Sequence, residues 1–77
     1  MMTLDKVKRG TPARDVSLSG SGTLYHRLLD MGFTPGAAVA VLYTAPFGDP
    51  VCVRTRGYTL TLRRAEAACI TVEEDRT

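Results

Sequence analysis

Two cysteines and a single histidine are all the soft donors in this 77-residue chain, and each shortage removes a class of chemistry. Cys52 and Cys69 stand 17 positions apart, and two thiols do not make a disulfide framework, so a reducing compartment is expected. His26, Cys52 and Cys69 nowhere repeat at the short spacing that preorganises zinc ligands. No metal site is therefore assigned: His26 reads as a helix surface residue and the cysteines as small buried hydrophobes. A weak ferrous site borrowing Asp30 or Asp49 is the most these donors allow. With one histidine, no Ser-His-acid arrangement has a spare partner, and Ser21 lies in Ser19-Gly20-Ser21-Gly22 rather than in a Gly-x-Ser-x-Gly elbow. No catalytic residue and no tightly bound cofactor are expected, and the chain does not read as an enzyme.

Long hydrophobic runs are also missing. Met31 to Gly48 is free of charge and nearly as long as a membrane helix of about 20 residues. Pro35, Gly36, Pro46 and Gly48 interrupt it, and a break in lipid would leave backbone polar groups unsatisfied. Asp5 and Lys6 sit where a secretory peptide needs its apolar stretch, so a cytosolic protein is expected. Charge of one sign is scarce as well: ten Lys and Arg against eight Asp and Glu leave +2, too little to demand a polyanionic partner. Gly20-Ser21-Gly22 ahead of a helix has Tyr25 where a phosphate loop needs its third glycine, and no Lys-Ser/Thr pair follows. Arg54, Arg63 and Arg64 form at most a solvated basic strip. Only Tyr43, Phe47 and Tyr58 lie near the strands to stack on bases, with Tyr58 assigned to the core, so nucleic acid is not the expected partner.

What is present is 44% hydrophobic content in a length that allows one domain, spanning 1–77, with one small core. Thr3 to Val7 reads as a helical turn capped by the Thr3 hydroxyl, with Leu4 and Val7 on one side. Ala13 to Leu18 reads as a strand in which Val16 and Leu18 share a face. Thr23 to Met31 carries an apolar stripe, Leu24, Leu28 and Met31, at helical spacing. Gly32 supplies its left-handed stop, and Phe33 falls where a Schellman cap brings an apolar residue back onto Leu28. Thr34-Pro35-Gly36 is a type II turn. In the following strand Val39, Val41 and Tyr43 form the buried face, and Ala38, Ala40 and Leu42 a second face expected to meet the helix.

Val51 to Leu62 reads as a hairpin turning at Arg56-Gly57, so that Thr55 faces Tyr58, Val53 faces Leu60 and Val51 faces Leu62. Cys52, Arg54, Thr59, Thr61 and Arg63 take the other side. A type I′ turn there places Arg56 at positive φ; a bulged turn around Gly57 is the alternative. Arg64 to Ala68 is a helical turn, Ile70 and Val72 a closing strand, and 73–77 a solvated tail. A mainly β domain this small hides its edges by closing them, which points to a small SH3-like barrel of five strands with one short inserted helix. Phe47, in a loop between Pro46 and Pro50 and beside Gly48, reads either as a rigid exposed anchor for a partner or as a ring packed over a barrel end.

Three motifs carry a resemblance. Arg27-Leu28-Leu29-Asp30-Met31-Gly32-Phe33-Thr34-Pro35-Gly36, then Ala45-Pro46-Phe47-Gly48-Asp49-Pro50, then Arg56-Gly57-Tyr58 with Leu62-Arg63-Arg64, occur in the order and spacing of the ferrous iron transport protein A (FeoA) family, which the chain resembles over nearly its whole length. The resemblance implies a cytosolic SH3-like barrel, without catalysis of its own, that works with the large membrane transporter FeoB, whose cytosolic part binds GTP. Such a protein reaches the inner face of the membrane only through that partner. A similar fold closes the iron-dependent repressors, so a transition-metal-responsive module is the alternative function, and a small nucleic-acid-binding barrel the third. Three positions depart from the family's habit: Asp15 stands at a usually apolar strand position, Tyr25-His26 replaces an often arginine-rich stretch, and Phe47 replaces a commoner leucine. The expected docking surface is Phe47, Gly48 and Asp49, with Tyr25 and Arg27 on the neighbouring helix, while Gly32, Pro35, Gly36 and Gly57 serve the turns.

Overall fold

Strand-forming segments separated by Gly and Pro turns build one antiparallel sheet in the computed structural model, which describes residues 1–20 and 22–75. The elements in chain order are β1 (Met2–Thr3), β2 (Pro12–Leu18), α1 (Gly22–Asp30), β3 (Ala38–Thr44), β4 (Val51–Thr55), β5 (Tyr58–Leu62), α2 (Arg64–Ala67) and β6 (Ile70–Glu74). Their order across the sheet is β1-β6-β2-β3-β4-β5. The sixth strand, absent from the sequence expectation, is the two-residue β1, in which Met2 and Thr3 pair with Val72 and Thr71. Two residues have no periodicity to read, so only the partner strand reveals them. A single apolar cluster takes residues from every strand between β2 and β6 together with Leu4, Leu28 and Phe33, which requires the sheet to curve around it.

The β4–β5 hairpin has the derived register, Thr55 opposite Tyr58, Val53 opposite Leu60 and Val51 opposite Leu62. Its turn places both Arg56 (φ 51°) and Gly57 (φ 83°) at positive φ, so the two-residue turn is kept and no bulge replaces it. Two side-chain assignments are corrected. Tyr58 is 45% exposed at the hairpin's turn end, where its hydroxyl reaches the Met31 carbonyl instead of packing in the core. Cys52, on the nominal outer face, is buried.

The helix ends as its sequence dictates. Gly32 N–H donates to the Leu29 carbonyl (3.0 Å) and Phe33 N–H to the Leu28 carbonyl (3.1 Å), the paired bonds of a Schellman motif, with Phe33 and Leu28 fully buried. Gly32 sits at φ 105°, and a Cβ there would lie 3.1 Å from both Arg56 Cδ and Tyr58 Oη, so conformation and space both demand glycine. Ala37 N–H closes the Thr34-Pro35-Gly36 turn on the Thr34 carbonyl at 3.0 Å, with Gly36 at φ 87°.

Two bulges overturn simple alternation. In β2 the register against β6 shifts between Asp15 and Ser17, so Ala13 and Asp15 are buried while Val16 and Leu18 are only half-buried. In β3 the register against β4 shifts between Val41 and Tyr43, and Tyr43 leaves the buried face of Val39 and Val41 to stand 52% exposed. The second face of β3 does not meet the helix. Ala38 and Leu42 stay exposed, and the shallow groove over Ala38 and Ala40 is rimmed by Arg54, Arg56 and Asp75. At the N-terminus Leu4–Lys6 forms the expected turn with Leu4 and Val7 buried, but as a 3-10 turn whose Thr3 hydroxyl bonds to the Asp5 carboxylate rather than capping backbone. The expected tail is partly strand: Glu73 and Glu74 pair with Arg14 and Ala13, and Asp75 forms an ion pair with Arg14 at 3.1 Å. Arg76, Thr77 and Ser21 lie outside the described residues.

Candidate functional site

Proline at both ends and a glycine in the middle shape the β3–β4 loop. Ala45 to Gly48 makes one tight turn, closed by Gly48 N–H on the Ala45 carbonyl (2.9 Å), and Ala45 N–H meets the Pro50 carbonyl at the loop's base (2.9 Å). Phe47 lies in the left-handed region (φ 69°, ψ 11°), where a bulky side chain is strained by about 1–2 kcal/mol, and its ring is 99% exposed. The chain therefore accepts both backbone strain and a hydrated phenyl ring at the same residue. Packing within the chain accounts for neither the strain nor the exposure.

A short helix ties this loop to α1. Asp49 Oδ1 accepts the Arg64 N–H (3.2 Å) at the start of α2, and the Arg64 guanidinium lies over Gly48, 3.4 Å from where a Cβ would sit. Glu66, on the next part of α2, accepts the Arg63 N–H (2.8 Å), the bond of an N-terminal capping residue. Its other oxygen pairs with Arg27 of α1 at 3.1 Å. Being half-exposed on the Arg27 side, that pair adds little stability but sets where the guanidinium points. Arg27 lines a groove of about 640 Å³ with Pro50, Thr61 and Glu66, and Phe47, Gly48 and Asp49 lie outside that groove's lining. Tyr25 does not line that groove; it is exposed and meets His26 edge-to-face at 5.7 Å. The tethering residues Arg64 and Glu66 were not among the expected site residues. With Arg63 rather than Ser, Thr, Asp or Asn at the N-cap, only Glu66 of the usual helix-start pair was there to be read.

In the middle of β2 the structure buries a carboxylate. Asp15 is 3% exposed and neither side-chain oxygen has a hydrogen-bond partner among the described residues. Burial pushes its pKa up from 3.8 to about 7, a rise the nearby Arg56 guanidinium partly offsets. Around it the backbone is closely tied: Asp15 N–H donates to the Ala37 carbonyl (2.9 Å), Gly36 N–H to the Asp15 carbonyl (2.7 Å), and Arg56 Nε to the Gly32 carbonyl (3.2 Å).

The loop, the Schellman cap and the hairpin turn are the three segments that carried the resemblance, and a family model, the FeoA domain, matches residues 2–74. The chain belongs to the FeoA domain family. It is 40% identical over 72 residues to an Fe(2+) transport protein A/Fe(2+) transporter FeoB fusion protein of Porphyromonas gingivalis, an alignment covering 94% of this chain and 8% of that relative. The solution structure of iron(II) transport protein A from Clostridium thermocellum superposes with a TM-score of 0.90 at 40% identity, over 95% of this chain and 45% of that one. Stenotrophomonas maltophilia FeoA, solved as a zinc complex and described as a prokaryotic SH3 domain protein, superposes at 0.83 with 27% identity, over 95% and 91% of the two chains. A manganese-dependent transcriptional repressor shares the fold at 19% identity, TM-score 0.84, over 94% of this chain and 35% of its own. The SH3-like architecture follows from these likenesses and from the sheet.

In this FeoA domain the soft donors are kept apart. His26 is exposed on α1, Cys52 is buried in β4, and Cys69 is half-buried between α2 and β6. The Tyr43 phenol, opposite Cys52 on the paired strand, is held above its usual pKa by its interaction with that thiol. Among the described residues no three His, Cys, Asp or Glu side chains come together as a metal cluster.

Proposed function

We propose that this FeoA domain is a small accessory protein of bacterial ferrous iron uptake that docks on the cytosolic, GTP-binding part of a FeoB-type membrane transporter. The docking surface is Phe47, Gly48 and Asp49, flanked by Arg27 and Tyr25. The observation that carries the reading is Phe47, a fully exposed ring held at positive φ by a loop whose ends are proline. A stiff loop loses little conformational entropy when a partner covers it, so most of the ring's burial appears as binding energy. The fusion protein of Porphyromonas gingivalis supports the partner, since joining two modules in one chain raises the effective concentration of one at the other.

No helix among the described residues is long and apolar enough to cross a membrane, which suits a subunit that works at the cytoplasmic face and reaches the bilayer through its partner. Ferrous iron is the cargo of that partner in this reading; the donor set of the chain itself suits at most weak binding. The test is capture of the transporter's cytosolic domain by the wild-type chain and by Phe47→Ala, with growth on scarce ferrous iron as the second readout. Capture and growth are retained by the wild type and lost by the variant. A folded Phe47→Ala that still captures the domain places the docking surface elsewhere.

A further inference from the structure

We infer that the groove beside the Phe47 loop accepts an acidic, extended segment of the partner protein, whose carboxylates meet Lys6, Lys8, Arg9 and Arg64 while a neighbouring apolar side chain lies against Phe47. The inference rests on the docking reading above and adds the chemistry of what is docked. The groove, about 520 Å³, runs between the N-terminal turn and the β3–β4 loop, with Tyr43 and Phe47 along the same side. All four cations are exposed; among the described residues lining the groove Asp5 is the one carboxylate, and its single negative charge, which the Thr3 hydroxyl donates to, leaves the four cations in excess. The ion pairs Arg14–Asp75 and Arg27–Glu66 involve none of the four. In a chain of net charge only +2, four unpaired cations around one concavity create a local positive potential that a complementary partner relieves.

The platform is built rather than accidental. Leu4 and Val7 are buried on either side of Lys6, and Gly10 N–H on the Val41 carbonyl (3.1 Å) together with Thr11 N–H on the Lys8 carbonyl (3.1 Å) fixes the corner that carries Lys8 and Arg9. Shape selects the occupant. A bilayer is flat and does not fill a groove, and single-stranded nucleic acid tracks a groove over a run of ring faces, whereas here two rings, Tyr43 and Phe47, stand on one side of an aliphatic lining of Val7 and Val41. An extended peptide enters such a groove with side chains alternating between the cations and the aromatic rim.

The test titrates the full chain with a short synthetic peptide of glutamates flanking a Leu-Phe pair, followed by amide shifts in NMR and by fluorescence anisotropy. The comparison probes are the same peptide with glutamine for glutamate, an oligouridylate, and phosphatidylserine vesicles. The expected result is shifts confined to Lys6, Lys8, Arg9, Tyr43, Phe47 and Arg64. Affinity falls about tenfold in the doubly reversed variant Lys8→Glu/Arg9→Glu, and by a similar factor between about 0.05 M and about 0.5 M salt. Equal binding of the glutamine peptide, shifts on another face, or tighter binding of the oligouridylate or the vesicles through the same cations overturns the inference. A second measurement separates it from the docking reading. Capture of the transporter's cytosolic domain that is lost in Phe47→Ala but kept in Lys8→Glu/Arg9→Glu overturns the acidic partner and leaves the docking loop standing. Capture kept in a folded Phe47→Ala but lost in the charge-reversed variant overturns the loop and keeps the groove.

Discussion

Around Asp15 the fold seals a carboxylate into apolar surroundings, while around Phe47 it holds a phenyl ring in water, and the two regions carry these local misfits in different ways. The Asp15 region is over-determined. Arg56 reaches the Gly32 carbonyl and the Thr34 hydroxyl, Tyr58 reaches the Met31 carbonyl, and Arg14 reaches the Gly36 carbonyl, so the helix end, the type II turn and the hairpin turn are bound to one another. That lattice holds an unpaired buried polar group whose desolvation costs about 1–3 kcal/mol. The Phe47 loop has no such lattice; two backbone bonds and the Asp49–Arg64 contact hold it, and its ring forgoes the roughly 1.5–3 kcal/mol that burial would contribute. The difference teaches that stability is lost in both places, but only at Phe47 is it recoverable by a partner. Asp15 is reached by nothing outside the protein.

The comparison breaks most visibly if Phe47 is removed. Phe47→Ala is expected to weaken binding to the transporter's cytosolic domain by about 2 kcal/mol, roughly thirtyfold, with an unchanged thermal midpoint. An unfolded variant would instead make the loop part of the core. The reverse pattern is expected at the over-determined end. Gly32→Val forces positive φ on a β-branched residue and crowds Arg56 and Tyr58, lowering stability by upwards of about 1 kcal/mol in urea titration. The same change at Gly10, where a Cβ meets nothing within 4 Å, suffers the backbone strain alone and is expected to be milder.

Asp15 sharpens the comparison through pH. The folded pKa of about 7 lies above the unfolded 3.8, so between these values the native state holds a proton that the unfolded chain has released. Stability contributed this way is fully present below about pH 4 and is lost as pH rises towards and through 7, at no more than about 1.4 kcal/mol per pH unit. Asp15→Asn is expected to flatten that slope in urea midpoints measured across the window, and to leave capture of the partner untouched. Smallest of all is the effect of Arg54→Ala on the hairpin's exposed side, within about 0.5 kcal/mol in stability and without change in binding. Calorimetric titration of the isolated chain with ferrous or zinc ions is expected to show weak binding at most; submicromolar affinity abolished by replacing His26, Cys52 or Cys69 would give the domain a metal-responsive role.

Local chemistry was legible wherever a few adjacent residues decide the geometry. The hairpin register followed from alternation about Arg56-Gly57, and the helix stop from Gly32-Phe33 after the Leu24, Leu28 and Met31 stripe. The prolines marked the loop, but whether Phe47 packs over the barrel end or stands in water was decided only by the fold, which leaves it exposed. Misreadings fell where one extra residue in a strand changes the facing of everything beyond it: the bulges at Val16 and Leu42 moved Asp15 inward and Tyr43 outward, and nothing in either strand's own composition marks the shift. Of the expected docking residues, Phe47, Gly48 and Asp49 are neighbours because they are adjacent in the chain, while Arg27 joins them only through Glu66 and α2.

The turns, the helix stop and the hairpin are written in short stretches of chain, because each is set by φ preferences and side-chain alternation within about a dozen residues. That Lys6, Lys8 and Arg9 share a groove with Arg64, that Asp49 meets Arg64, and that Asp15 is sealed away are products of the folded whole. Those relations join residues as far apart as the N-terminal turn and α2, and they arise when the strands close on one core and the bulges fix which face each side chain takes. No local preference encodes such a meeting; packing of the whole chain does.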